Sequence, residues 1–174
     1  IDTGEGDDNI IIVEGSPITI ASLDAGVGTD TVSIYSVGSV TVPTVINVEN
    51  FFLSDTVHQS LDFSFSVNLE GIELSSGTTI DGSTITTTLG EGQSLTINGI
   101  TDGDTAAASL ADGGIIISQA SSITSLNLTL DDVGPDTSIA NENVFIDIAG
   151  TGASTMNVTS GNDSFVVISN SGGA

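Results

Sequence analysis

The sequence INVENFFL at residues 46–53 recurs in modified form as VNLEGIEL at residues 67–74. Both copies follow the pattern aliphatic-Asn-aliphatic-Glu-x-apolar-x-Leu, and Asn68 lies 21 residues after Asn47. Alternating apolar and polar residues are typical of a half-buried β-strand. A strand pattern that returns after about 20 residues indicates a β-solenoid, in which each repeat forms one coil.

Shorter copies of the aliphatic-Asn core follow at intervals of about 30 residues, at Asn98, Asn127 and Asn157. Stacked coils place equivalent residues above one another. We therefore expect these Asn side chains to occupy an inward turn and to form a ladder of amide hydrogen bonds. The sequence predicts an all-β parallel β-solenoid, and a β-sandwich in which the Asn residues coincide by chance is the alternative. A short turn of helix at residues 105–111 is the one helical candidate, and a loop of small residues fits it equally well.

Two glycine-aspartate turns carry the clearest chemistry. GEGDDNI at residues 4–10 and GVGTDTV at residues 26–32 both read G-x-G-x-D-x-aliphatic, and GNDSF at residues 161–165 is a partial third copy. Glycine allows positive φ, so the backbone can turn its carbonyl oxygens inward, and the Asp adds a carboxylate. Ca²⁺ prefers six to eight such oxygen ligands, so the turns predict Ca²⁺ as the cofactor.

The candidate metal-site residues are Gly4, Gly6, Asp7, Asp8, Asp24, Gly26, Gly28, Asp30, Gly161 and Asp163. Asp8 and Asp30 are the central candidate ligands. The alternative for these two is that each carboxylate only caps the backbone of its own turn. For the flanking Asp7 and Asp24 the alternative is a solvated surface position.

The net charge of the chain limits the classes of partner that it can bind. The 174 residues include 23 Asp and Glu but no Lys or Arg, which gives a formal net charge of −23. Nucleic acids and anionic membrane surfaces are bound mainly through Lys and Arg, so both classes of partner are excluded. No apolar run of about 18 residues predicts insertion into a membrane. With 38 % hydrophobic residues the chain can still bury a core, so its carboxylates need neutralising cations from solution.

Catalysis is not expected. Glu70 and Glu73 are a carboxylate pair of the kind that hydrolyses glycosides, but an exposed strand face explains them better. The chain has no Trp and only Tyr35 as a tyrosine, whereas sugar-cleaving sites usually carry aromatic platforms. No sequence motif around His58 indicates a Ser or Cys nucleophile. We therefore predict that the protein is not an enzyme.

The two complete turns resemble the nonapeptide repeats of RTX proteins, G-G-x-G-x-D-x-aliphatic-x, although Thr3 and Ala25 stand where the first Gly would be. VENF at residues 48–51 and LEGI at residues 69–72 resemble coils found beside such turns in large type I-secreted S-layer proteins and adhesins of Gram-negative bacteria. The resemblance implies calcium binding in a parallel β-roll and an extracellular location at the cell surface.

For the function, these observations predict a structural, secreted segment that is stabilised by calcium. It would self-assemble with further copies of itself into an S-layer or an extracellular filament. The alternative is a repeat, spacer or binding module of a large RTX-type adhesin. Residues 1–174 are read as one β-rich repeat segment of a larger surface protein. A subdivision into RTX-like coils at 1–80 and further β coils at 81–174 remains open.

Overall fold

All regular structure in the described part of the chain is β-strand. The structure, a computed structural model, describes residues 1–14, 18–36, 40–41, 44–54, 60–75, 79–80, 84–102, 114–119, 125–131, 133, 144–149, 155–161 and 166–170. Among these residues there is no helix long and apolar enough to cross a membrane. The helix candidate at 105–111 lies outside the described residues.

Eighteen strands follow one another along the described chain. They are β1 (Asn9–Glu14), β2 (Ile18–Thr19), β3 (Leu23–Asp24), β4 (Thr31–Ser36), β5 (Val40–Thr41), β6 (Val45–Ile46), β7 (Asn50–Ser54), β8 (Ser60–Asp62), β9 (Gly71–Ser75), β10 (Thr79–Ile80), β11 (Thr84–Leu89), β12 (Ser94–Asn98), β13 (Thr101–Asp102), β14 (Gly114–Gln119), β15 (Ser125–Asp131), β16 (Val144–Ala149), β17 (Thr155–Ser160) and β18 (Val166–Asn170). The longer strands combine β-branched residues with period-2 alternation, which favours a pleated, half-buried surface.

A seven-stranded parallel sheet, the main sheet, has the order β1-β4-β7-β9-β12-β15-β17. Neighbours in this sheet are also successive along the chain, so each pairing adds one circuit of the chain to the stack. We call a coil the segment from a residue of one main-sheet strand to the residue paired with it in the next main-sheet strand. The coil from Thr31 to Asn50 spans 19 residues, and the coil from Ser94 to Asn127 spans 33.

A second parallel sheet, with the order β18-β16-β14-β11-β8, takes one strand from each of the later coils. Three two-stranded sheets, β2-β5, β3-β6 and β10-β13, link strands of neighbouring coils in the same way. Every pairing among the described strands is parallel, whereas a β-sandwich is built from antiparallel sheets. The fold is therefore all-β with multi-stranded parallel sheets, which is compatible with a β-solenoid.

The core lies between the sheets and consists of stacked apolar side chains, most of them aliphatic. One main-sheet column contains Val32, Phe51, Ile72, Leu95 and Leu128, and a second contains Ile34, Leu53, Leu74, Ile97 and Leu130. All ten side chains are buried, and each such burial stabilises the fold by roughly 1.5–3 kcal/mol. The ring of Phe51 in β7 packs edge-on against the ring of Phe63, which directly follows β8, with the two ring centroids 5.0 Å apart.

The predicted Asn ladder exists as two separate pairs. The side-chain amide of Asn68 donates to Oδ1 of Asn47 at 3.0 Å, and that of Asn157 donates to Oδ1 of Asn127 at 2.9 Å. The predicted inward position is wrong for Asn68, Asn127 and Asn157, which are exposed. An exposed amide can satisfy its remaining hydrogen-bonding groups with water, which a buried one could not.

The predicted equivalence of Asn98 is also wrong. Asn98 aligns with Ser75 on one side and with Asp131 on the other. The register is determined by Leu95 and Ile97, which must stack on the buried positions of the preceding strand. A shift that aligned Asn98 with Asn68 would break both apolar columns.

Candidate functional site

The two complete glycine-aspartate turns, residues 4–8 and 26–30, lie directly on one another in successive coils. Glu5 and Val27 form a parallel bridge between them. The amide of Gly6 donates to the carbonyl of Val27 at 2.8 Å, and the amide of Val27 donates to the carbonyl of Gly4 at 2.9 Å. The 22-residue repeat of the motif is therefore one coil of the fold.

Close backbone contact explains the glycines of the second turn. A Cβ on Gly26, whose φ is +93°, would lie 1.6 Å from the carbonyl oxygen of Gly4. A Cβ on Gly28 would lie 2.1 Å from the carbonyl oxygen of Gly6. The glycines of the first turn differ, because a Cβ at Gly4 or Gly6 would meet nothing within 4 Å, although both have positive φ.

Asp30 is the last residue of the second turn and is fully buried. Its Oδ1 accepts a 2.7 Å hydrogen bond from the amide of Asp8 in the preceding coil. Its Oδ2 is buried and has no hydrogen-bond partner, and the same holds for Oδ2 of Asp8. Burying a carboxylate oxygen without a partner is unfavourable unless a positive charge or a proton compensates it.

Asp7 and Asp24 also contribute hydrogen bonds to the turns. Oδ1 of Asp7 accepts from the amide of Thr29 at 2.8 Å, which ties the first turn to the second. Oδ1 of Asp24 accepts from the amide of Gly26 at 3.1 Å and from the side chain of Asn47 at 2.9 Å. The alternative for Asp7 and Asp24, a solvated surface position, did not include these hydrogen bonds, each of which uses only Oδ1 of the carboxylate.

The sequence interpretation missed the continuation of the Asp column by glutamates. Asp8, Asp30, Glu49 and Glu70 each directly precede a main-sheet strand, and we call these four residues the acid column. Oε2 of Glu49 accepts a 2.7 Å hydrogen bond from the amide of Asp30, as Asp30 does from Asp8. Aligning the motifs by the residue before the strand would have shown that Asp and Glu are equivalent.

Gln93 takes the next position, directly before β12, and replaces the carboxylate with an amide. Its buried side chain accepts from the amide of Gly90 at 2.8 Å and donates to the carbonyl of Phe63 at 3.0 Å. Glu70 is exposed and Gln93 is neutral. No buried carboxylate therefore follows Glu49 at these positions. Within the described part of this column, the buried oxygens without a hydrogen-bond partner belong to Asp8 and Asp30.

The partial third copy does not join the first two turns. Its Gly161 lies beside Asp131 at the opposite end of the main sheet, where the Gly161 amide donates to the carbonyl of Leu130 at 2.6 Å. Asp163 lies outside the described residues, as does His58. Glu73 faces outward on β9, where its Oε1 accepts from the side chain of Asn98 at 3.2 Å.

The oxygen donors of the stacked turns are of the kind that Ca²⁺ prefers. No group of three or more His, Asp or Glu side chains in the described ranges is arranged to hold a metal ion. A calcium ion here would take the unpartnered oxygens of Asp8 and Asp30, and backbone carbonyls and water would supply the other ligands. The residues fit such an ion on one specific ground, which is the buried pair of oxygens without a partner.

No protein-family model, curated protein or solved structure matches this chain.

Proposed function

We propose that this chain is a calcium-stabilised structural segment of an extracellular surface protein, a parallel β-solenoid that assembles into an S-layer or a filament. The observation that supports it best is the pair of buried carboxylate oxygens, Oδ2 of Asp8 and Oδ2 of Asp30, which lack any hydrogen-bond partner. Both stand in a turn pattern that resembles a calcium-binding repeat, and both lie on adjacent coils.

The charge of the chain explains why a cation would act as a structural element. A net charge of −23 opposes compaction, and the chain has no Lys or Arg to offset it. An ion between the first two coils would neutralise Asp8 and Asp30 and join the turns that carry them. Because the ligands come together only in the folded chain, the binding free energy would add to the free energy of folding.

The exposed apolar side chains at both ends of the main sheet support self-assembly. At one end Ile11 and Val13 of β1 are exposed, and at the other end Met156 and Val158 of β17 are exposed. β1 and β17 are the two edge strands of the sheet. Edge strands with apolar side chains pair readily with another chain, so the two ends suit end-to-end stacking of copies.

The calcium part of the proposal is tested by calorimetric titration of the purified chain after chelation. We expect Ca²⁺ to bind and to raise the melting temperature, and Asp30→Asn to remove most of both effects. Glu5→Gln is the matched control, because it removes the same charge from an exposed position in the same turns. If Glu5→Gln weakens binding as much as Asp30→Asn, the ion does not occupy the buried oxygens.

The assembly part is tested by electron microscopy with millimolar Ca²⁺ and again with excess chelator. Ordered sheets or fibres with Ca²⁺ alone are the expected result. Assemblies that persist under full chelation contradict calcium-dependent assembly. Dispersed monomers that bind Ca²⁺ favour the second candidate function, a repeat, spacer or binding module of a large RTX-type adhesin. The observation that supports this second candidate is an open groove on the main sheet.

A further inference from the structure

We propose that the solvent-facing side of the main sheet carries a binding site for a neutral sugar ring, centred on Tyr35, Phe52 and Glu73. The site is a groove of about 440 Å³ across strands β4, β7, β9 and β12. It lies on the opposite face of the sheet from the core. The inference does not rest on calcium binding at the turns, because none of the acid column lines the groove.

The shape of the groove follows from the outward-facing residues of successive coils. Gly71 occupies the outward position between Asn50 and Ser94, and its missing side chain leaves a gap in that column. A Cβ at Gly71 would already lie 3.1 Å from Oδ1 of Asn50. A larger residue there would close the groove.

One wall of the groove is aromatic. Tyr35 and Phe52 are neighbours on adjacent strands, with ring centroids 5.6 Å apart and planes inclined at 52°. Tyr35 is 41 % exposed, although large aromatic side chains are usually covered. The C–H face of a pyranose ring packs well on such a surface, because it is apolar and flat.

The other walls supply hydrogen-bonding groups. Thr31, Asn50 and Thr96 line the groove with hydroxyl and amide groups, and Glu73 adds one carboxylate. Asn98 donates to Oε1 of Glu73, which orients the carboxylate. An apolar platform faced by a few fixed polar groups is the usual composition of a small-molecule site. Hydroxyl groups around a ring match this mixture of donors and acceptors.

Charge decides which sugars fit. Glu73 is the one ionisable acid among the lining residues, and the whole chain lacks Lys and Arg. Uronic and sialic acids would be repelled both locally and by the net charge. The groove is therefore assigned to a neutral hexose within a glycan chain.

Tyr35 provides a built-in reporter for the test. It is the single Tyr of a chain without Trp, so tyrosine emission comes from this site alone. We would titrate the full chain, in Ca²⁺ and in chelator, with cellohexaose, maltohexaose and chitohexaose. Hexagalacturonate serves as the acidic probe and choline as the cationic probe. We expect a saturable change in emission with at least one neutral hexaose and none with hexagalacturonate.

Two substitutions locate the binding. Phe52→Ala removes half of the aromatic wall and should weaken hexaose binding about tenfold, which corresponds to about 1.4 kcal/mol. Phe65→Ala is the matched control, because Phe65 is 72 % exposed and does not line the groove. Equal affinity of the two variants, or no response to any neutral hexaose at 10 mM, overturns the proposal. Saturable binding of choline or of hexagalacturonate without a neutral hexaose also overturns it.

Discussion

Replacing Gly26 with Ala tests whether the first two coils are held in direct backbone contact. The new Cβ would lie 1.6 Å from the carbonyl oxygen of Gly4, so the coils must separate by more than 1 Å. Separation breaks the hydrogen bonds from Gly6 to Val27 and from Val27 to Gly4. Each is worth roughly 0.5–1 kcal/mol, and residual overpacking adds about 1–2 kcal/mol. We expect a loss of about 2–4 kcal/mol at this contact.

Gly4→Ala is the matched control for this experiment. Gly4 and Gly26 have similar φ values, +102° and +93°, so Ala introduces similar backbone strain of roughly 1–2 kcal/mol at either position. Of these two glycines, only Gly26 is placed so that an added Cβ would meet an atom of the neighbouring coil within 4 Å. The difference between the two variants therefore isolates the contact from the strain.

Amide hydrogen exchange is the appropriate assay, because coils at one end of such a fold can separate without global unfolding. The amides of Gly6 and Val27 should exchange about 30- to 1,000-fold faster in Gly26→Ala than in Gly4→Ala, as 2–4 kcal/mol requires. The amide of Leu95, four coils further on, should exchange equally in both variants. Equal protection of Gly6 and Val27 in the two variants would refute the stacked arrangement of the turns.

Three further predictions concern other parts of the fold. Gln93→Leu should lower the free energy of unfolding by about 2 kcal/mol, because the amide of Gly90 and the carbonyl of Phe63 lose their hydrogen-bond partner. Urea titration measures this loss, and an unchanged unfolding midpoint would contradict the prediction. Asn157→Ala should lower the free energy of unfolding by less than about 1 kcal/mol, since the amide pair with Asn127 is exposed, and a larger loss would show that the ladder contributes more than its geometry implies. Raising NaCl from 0.02 to 0.5 M in chelator should increase the melting temperature through screening of the −23 charge, and a decrease would refute the role assigned to repulsion.

The repeat at 46–53 and 67–74 was sufficient to predict how β7 and β9 pair. Both its period and its apolar positions agree with the observed register of Phe51 with Ile72 and of Leu53 with Leu74. Buried apolar residues recur strictly in such a fold because a one-residue shift would expose them. The parallel arrangement was predictable for the same reason.

Polar positions were less predictable, because their spacing does not determine the register. Asn98 fits the aliphatic-Asn pattern because Ile97 precedes it. The apolar residues of β12 nevertheless set a register that pairs Asn98 with Ser75. Glu49 was not predicted to be equivalent to Asp30, because the two motifs differ in sequence. Each carboxylate nevertheless accepts a hydrogen bond from the backbone amide of the preceding member of the acid column. The groove at Tyr35 and Phe52 arises from residues 17 positions apart that only the stacking of coils brings into contact.

The pairing of each main-sheet strand only with its neighbours along the chain also has a mechanical consequence. Under tension a stack of coils of this kind can yield from its end, one coil after another, since among the described strands each edge strand of the main sheet pairs only with the strand of the next coil. A freed coil of 22 residues would extend to roughly 75 Å of chain. A surface segment built in this way would lengthen in steps under load, and its remaining coils would stay folded.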